Sequence, residues 1–464
     1  MAAPPAKGDR IDRGAVSWAL YEWARNPYVL LCVIYVFAPY LTNVVLGGGA
    51  HGQAVFSGWQ TMGGLIVALT SPFLGAAADR LGHRKPALAL VTLVMAVPLA
   101  LMWFALPHEA ALPMFAIQLF SILAGVAYTW TEVLHNSMLT LAARPSQLSK
   151  VSGLGLALGN AGGLVVLLFV LFAFALPGQI PIPGLPDHPL FGLNPAAFEP
   201  QRITAPIVAV WLVLFSIPLF LWTPDRNPSG EKLFAAIRDG FSGVARTVTR
   251  LFRDYRNVAL FLIARMIYVD GTTAVVIFGG IYASGALHWG LIEMLAFGVI
   301  LSTFAVFGGF LSAWLDDKLG AKRAVAIELI VTLLCLLVEV SISPTQMLFV
   351  IPADPSVHVW GGPIFSTAPE LLYLGASVVI AMSITAAYAS SRALMAQLCP
   401  TGMEGEIFGL YALSSSASAW LAPLLLTIFT ALYQSQRAGF GSIGLLLIVG
   451  LVLLMFVKQP PRAA

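Results

Sequence analysis

Apolar runs of about 20 residues recur from one end of this 464-residue chain to the other, and most of its charge sits in the stretches between them. A run of that length, wound as a helix, satisfies its own backbone hydrogen bonds and crosses the hydrocarbon core of a bilayer. With 58% hydrophobic and 10% charged residues and a mean hydropathy of +0.85, the chain lies outside the range of soluble globular domains. The reading is an all-α polytopic membrane protein. Breaking the runs at Pro, Gly and charge clusters gives spans at about 17–45, 54–78, 86–106, 113–142, 150–176 and 204–223. Six more follow at about 257–286, 290–315, 323–343, 370–398, 405–433 and 438–457. Twelve transmembrane helices in two pseudo-symmetric six-helix bundles are therefore expected. Residues 1–223 form the first bundle, 224–256 a cytoplasmic linker and 257–464 the second bundle.

Twelve spans put both termini on one side, and the Lys/Arg bias selects the side. Of 25 such residues, 20 fall in the tails and the even-numbered connections, three in spans (Arg25, Arg265, Arg392) and two outside (Arg202, Arg437). Both termini and the linker are expected in the cytoplasm, in a multi-pass protein of the cytoplasmic (inner) membrane. Apolar residues from Leu233 to Phe252 recur at helical spacing in the linker, which reads as an amphipathic helix on the inner leaflet or against the bundle. The Pro/Gly-rich connection between the fifth and sixth spans reads as an irregular outer loop. No removable signal peptide is visible at the start. The basic residues are scattered without stacking platforms, so no nucleic-acid partner is expected. Cys32, Cys335 and Cys399 show neither disulfide nor metal spacing. No phosphate-binding loop follows a strand, so no cofactor and no nucleotide hydrolysis are expected.

Two charged knots interrupt this pattern at corresponding places, between the second and third spans of each half. Gly75, Asp79, Arg80, Gly82 and Arg84 lie in GAAADRLGHRK, and Asp317, Gly320 and Arg323 lie in AWLDDKLGAKR. Both follow the frame small-xxx-Asp-cation-Leu-Gly-x-cation-cation. The glycine suits a tight turn, and the Asp can face the positive end of another helix. Any short cytoplasmic loop collects Lys and Arg, but two copies in register ask for more than that bias. The first knot resembles the loop signature of the major facilitator superfamily, and the second is its weaker repeat. That resemblance implies two six-helix bundles rocking around a site near the membrane midplane, with the knots as conformational latches. Asp79 would then approach the start of the eleventh helix near Glu404–Glu406, and Asp317 the start of the fifth near Ser149 and Lys150.

A narrower resemblance covers nearly the whole chain. SWALYEWARNPY (17–28) with FAPYLT (37–42), SGLGLALGNAGG (152–163), IYVDGTTAVVIFGGIYA (267–283) and the stretch from SSRALMAQL (390–398) to LAPLL (421–425) are similar to the vacuole-effluxer-like permeases. That branch includes the autophagy-linked vacuolar amino-acid exporter. The pattern departs at Glu22, where Asp is expected, and at Ser416, where relatives often carry Lys.

An ionisable group at membrane depth costs a few kcal/mol and asks for a partner, a watery cavity or a function. Glu22 and Arg25 are three apart and can pair on one helical face. Tyr128, Glu132 and His135 fall at i, i+4 and i+7, one stripe carrying a hydroxyl, a carboxyl and an imidazole. That stripe suits proton uptake and release, or a Glu held permanently by an Arg of another helix. Aligning Ala127-Tyr128 with Ala387-Tyr388 sets Glu132 opposite Arg392, which could hold the two ends of a zwitterion. Arg265, Tyr268 and Asp270 precede Gly271; the arginine and the acid are about 140° apart around a helix, so Asp270 is expected to meet a group on helix 1 or 10. Gly153, Gly155, Gly159 and Gly163 read as a helix-packing stripe. The expectation is a non-enzymatic, monomeric secondary transporter in the lipid bilayer. Its substrate would be a small polar organic solute, an amino acid or related zwitterion by resemblance, moved with protons. An exporter of amphipathic or lipid-like compounds and a non-transporting receptor are the alternatives.

Overall fold

The computed structural model describes residues 11–81, 83–107, 110–144, 147–180, 184–227, 246, 248–400 and 404–458. The described chain is helical apart from its connections and one two-stranded hairpin. Helix α1 starts at Arg13, where the Asp12 carboxylate caps the Ala15 N–H at 2.8 Å. It runs regularly to Arg25 and continues through π-helical turns at Tyr28–Tyr35 and Leu41–Val45. The cause of the change is local. Pro27 has no N–H to give to the Trp23 carbonyl, so that oxygen instead accepts from the Trp211 indole at 3.0 Å. After α1 come α2 (Gly49–Leu81), α3 (Lys85–Leu101), α4 (Met114–Ser137), α5 (Leu148–Val170) and α6 (Thr204–Trp222). The second half holds α7 (Arg256–Ala286), α8 (Leu291–Leu319), α9 (Ala321–Ser341), α10 (Ala368–Leu398), α11 (Glu404–Ser418, then Leu421–Tyr433) and α12 (Gln436–Phe456). The short hairpin Gln346–Met347/Ile351–Pro352 decorates the α9–α10 connection.

Among the described residues, eleven segments are long and apolar enough to cross a membrane, from Arg13–Val45 to Gln436–Phe456. The 33-residue α2 is not among them. Leu69, Leu90, Phe115, Val210 and Phe310 are more than half exposed on these helices, as the lipid-facing side of a membrane bundle requires. Helix partners recur between halves: α1 packs on α5 and α6, and α3 on α4 and α6, just as α7 packs on α11 and α12, and α9 on α10 and α12. Small residues permit the close approaches. A Cβ at Gly155, Gly159 or Gly163 would run into Trp18, Asn26 or Leu30 of α1, while one at Gly153 would meet nothing within 4 Å. Three of the four stripe glycines therefore form the α1–α5 contact.

Hydrogen bonds that join the halves cluster at the end away from the chain termini. Asn43 donates to Ser284 Oγ at 2.9 Å, Gln53 to Thr430 Oγ1 at 2.9 Å and to the Gln436 carbonyl at 3.1 Å, and Ser57 and Thr427 share a proton at 2.8 Å. At the terminal end, two sets of bonds tie helix ends within their own half. The Asp225 carboxylate accepts from the N–H groups of Arg84 and Lys85 at 2.9–3.0 Å, capping α3, and Lys322 Nζ donates to the Met455 carbonyl at 2.9 Å. The second knot turns on Gly320, whose φ of 85° only glycine adopts freely. Gly82, the corresponding residue, lies outside the described residues, as do the side chains of Asp79 and Arg80, the surroundings of Gly75 and most of the linker.

Helix α2 meets the break in α11 at Gly64, where a Cβ would come within 2.7 Å of the Ala419 carbonyl and the Trp420 nitrogen; at Gly58, six residues earlier, a Cβ would meet nothing within 4 Å. Gly64→Ala is expected to lose about 1–3 kcal/mol by overpacking against backbone, and Gly58→Ala to leave stability unchanged. Thermal unfolding of the two purified variants in detergent checks this; equal midpoints would contradict the α2–α11 contact.

Candidate functional site

Four ionisable side chains meet between α1 and α4. Residues 18, 21, 22 and 25 of α1 fall along one face because they are spaced three to four apart, and residues 128, 132 and 135 of α4 do the same. Arg25 holds Glu22 in a two-point bond, Nε to Oε2 and Nη2 to Oε1, both 3.0 Å. Its remaining nitrogen, Nη1, lies 3.6 Å from Glu132 Oε2, and the guanidinium sits 4.8 Å over the Tyr128 ring. The Arg25 side chain is 5% exposed and that of Glu132 is 45% exposed, so the outer carboxyl reaches solvent while the cation does not.

His135 is fully buried between Trp18 and Tyr21, stacked at 4.3 Å on the indole. Its Nε2 lies 2.8 Å from the Trp18 carbonyl and its Nδ1 3.1 Å from Glu22 Oε1. A backbone carbonyl only accepts, so the proton shared with Trp18 belongs to Nε2. A second proton fits between Nδ1 and Glu22, whichever of the two carries it. The Trp18 indole donates back to the His135 carbonyl at 2.9 Å, which fixes the two helices in register. Tyr128 completes the stripe by donating to Asn26 Oδ1 at 3.3 Å.

The charges of the second half are held differently. Arg265 Nη1 donates to the Tyr411 carbonyl (2.7 Å), Ser414 Oγ (2.5 Å) and Ser415 Oγ (2.9 Å) of α11, with the guanidinium 3.5 Å over the Tyr411 ring. Asp270 meets α11 rather than helix 1 or 10. Its Oδ2 accepts the Ala422 N–H at 2.7 Å, because the break at Ala419–Trp420 leaves the restarting helix with donors to satisfy and a positive end. Tyr268 shares a 2.7 Å hydrogen bond with Ser391 of α10. Arg392 is exposed on α10. The arginine that Glu132 approaches is Arg25 of α1, the arrangement in which a Glu is held by an Arg of another helix; neither Glu132 nor Arg392 is among the residues lining the cavity between the halves. Among the latch residues, Arg84 is buried and donates to the Ser137 carbonyl at 2.5 Å, while Asp317 and Arg323 are exposed.

Between the halves lies a cavity of about 660 Å³, walled by α1, α5, α7, α8, α9 and α10 and mostly apolar. That volume suits a small organic molecule. Asn26, next to Arg25, lines it. So does Glu339 of α9, a carboxyl absent from the sequence-derived candidates. Glu339 and Glu328 interrupt the apolar run of α9 eleven residues apart, three helical turns, so both lie on one face and bond α10: Ser377 donates to Glu339 at 2.5 Å and Ser390 to Glu328 at 3.1 Å. The signal available in the sequence is their depth in an apolar span.

Removing Arg25 leaves two carboxyls without their cation. Arg25→Ala is expected to destabilise by about 3–5 kcal/mol, the cost of breaking a buried pair on one side, and Arg392→Ala, on an exposed residue, to change stability by less than about 0.5 kcal/mol. Thermal unfolding in detergent separates the two; an Arg25→Ala midpoint equal to the parent's would remove the cluster from any structural or functional account.

The family described as vacuole effluxer Atg22 like matches residues 53–462. An uncharacterised MFS-type transporter, YxiO of Bacillus subtilis, is 23% identical over 97% of this chain and 96% of its own. Autophagy-related protein 22 of Yarrowia lipolytica is 23% identical over 74% of this chain, which spans 56% of that protein. Among solved structures, the nucleoside transporter NupG superposes with a TM-score of 0.60 at 12% identity, covering 96% of this chain and 98% of that one. A POT family transporter in complex with 5-aminolevulinic acid reaches 0.65 at 12% identity, covering 96% of each chain.

Proposed function

Because the chain belongs to the vacuole effluxer Atg22-like family, a family of membrane transporters, we propose that it is a proton-coupled secondary transporter of an amino acid or related zwitterion. The observation that carries this reading is the His135–Glu22–Arg25–Glu132 cluster, whose Arg25 directly precedes Asn26 in the wall of the cavity between the halves. A relative's name supports an effluxer, and a structural neighbour holds a small amino acid in its own site. In this reading α2 is the twelfth span. The chain forms two six-helix bundles, residues 1–223 and 257–464, that rock by alternating access in the cytoplasmic membrane with both termini in the cytoplasm. The two knots then act as latches at the terminal end, opposite the hydrogen bonds that join the halves at the far end.

Proteoliposomes loaded with an amino-acid mixture test it. The parent is expected to exchange labelled amino acids and to accumulate them under a pH gradient. Glu22→Gln, which removes the proton-accepting carboxylate but keeps its shape, is expected to retain exchange and to lose gradient-driven accumulation to the level of protein-free liposomes. Accumulation by the variant equal to that of the parent would place coupling elsewhere. Exchange of amphiphiles but not of amino acids would move the substrate to the amphipathic class.

A further inference from the structure

Among the described residues that wall the cavity between the halves, Glu339 is the one acidic side chain, and no Lys or Arg accompanies it. Glu339 is 2% exposed and lines the cavity along with Ser377, its only hydrogen-bond donor, which takes Oε1. Oε2 is buried and has no hydrogen-bond partner. The groups packed around it are neutral: Tyr373 of α10 spends its hydroxyl on the Gly279 carbonyl at 2.8 Å, Tyr282 of α7 spends its own on the Ile342 carbonyl at 3.3 Å, and Cys335 lies one turn away on α9. The cation nearest along this end, Arg437, donates to the same Ile342 carbonyl at 3.4 Å and forms no ion pair with Glu339 among the described residues. A carboxyl kept in an apolar wall with one oxygen unpaired is costly unless something arrives to pair it.

We propose that Glu339 is the recognition site for the ammonium group of the transported molecule, with the apolar walls of the cavity taking the body of that molecule. An alkylammonium supplies what Oε2 lacks, a charge-assisted N–H donor. The same cavity offers a carboxylate no lining cation; its polar groups on the opposite wall are the amides of Asn26 and Asn160. Recognition is therefore anchored on the amine, and a carboxylate on the ligand is tolerated through amide donors rather than required. This rests on the proposed transport reading for the site as a substrate cavity, and deepens it by naming which end of the substrate is held and by which residue.

Binding to purified protein in detergent, measured by calorimetry with three indole probes, tests the assignment. Tryptamine carries only the amine, indole-3-propionate only the acid and tryptophan both. Tryptamine is expected to bind the parent and to lose about 10- to 100-fold in affinity in Glu339→Gln, the range for one hydrogen bond between charged groups. Ser377→Ala, which keeps the carboxylate, is expected to bind tryptamine within about threefold of the parent, a shift of under 1 kcal/mol. Equal thermal midpoints of parent and Glu339→Gln without ligand show that the variant is folded. Tryptamine binding equally to parent and Glu339→Gln, or not at all to the parent, overturns the proposal. Tryptophan failing to bind while tryptamine binds through Glu339 leaves this proposal standing and removes the zwitterion from the transport reading.

Discussion

Hydrocarbon offers no hydrogen bonds, so a backbone group freed within a span must find a partner inside the protein. Pro27 frees the Trp23 carbonyl at membrane depth, and the Trp211 indole closes it. The break in α11 frees N–H groups at Leu421 and beyond, and the Asp270 carboxylate takes the one at Ala422. The N-terminus of α3 is met by Asp225. At Trp23 and Ala422 the freed group is bonded by a neighbouring helix, so the same bond that satisfies the backbone also fixes how two helices sit together.

The two halves answer the problem of a buried arginine in different ways. Arg25 and Arg265 occupy comparable places, each just after an alanine in the first helix of its half. Arg25 is surrounded by ionisable groups, two carboxyls and an imidazole within reach of one another. Arg265 is surrounded by neutral oxygens and an aromatic face on α11. The first arrangement joins four ionisable groups of α1 and α4, while the second ties α7 to α11 through neutral oxygens and one aromatic face.

Much of this was legible in the sequence because the governing patterns are local. The limits of eleven apolar spans, the pairing of Glu22 with Arg25, and the Tyr128–Glu132–His135 stripe all follow from residue counts along one helix. The glycine stripe of α5 was readable for the same reason, though Gly153 shares its spacing and not its contact. What the sequence hid was pairing between helices. Arg392 looked like the natural partner of Glu132 by repeat alignment, yet Arg25 lies closer because α1 and α4 pack within one half. The break in α11 had its signal in Pro423, which has no N–H to give to the Ala419 carbonyl one turn earlier, but nothing in the sequence placed Asp270 beside that break. Glu339 was visible as a buried acid, and only the position of α9 at the cavity wall gives it significance.

The ionisable cluster and the cavity are distinct places joined by one residue. Asn26 follows Arg25 directly, accepts the Tyr128 hydroxyl and lines the cavity wall opposite α9. Arg25 lies against Glu22, Glu132 and the Tyr128 ring. Any adjustment of the guanidinium therefore reaches Tyr128 and, through its hydroxyl, the amide that faces the cavity. Glu339 sits on the far wall with no such chain behind it. In the proposed cycle the proton and the solute thus use separate carboxyls in opposite halves, and the coupling between them runs across the cavity, through the solute itself when it touches both walls.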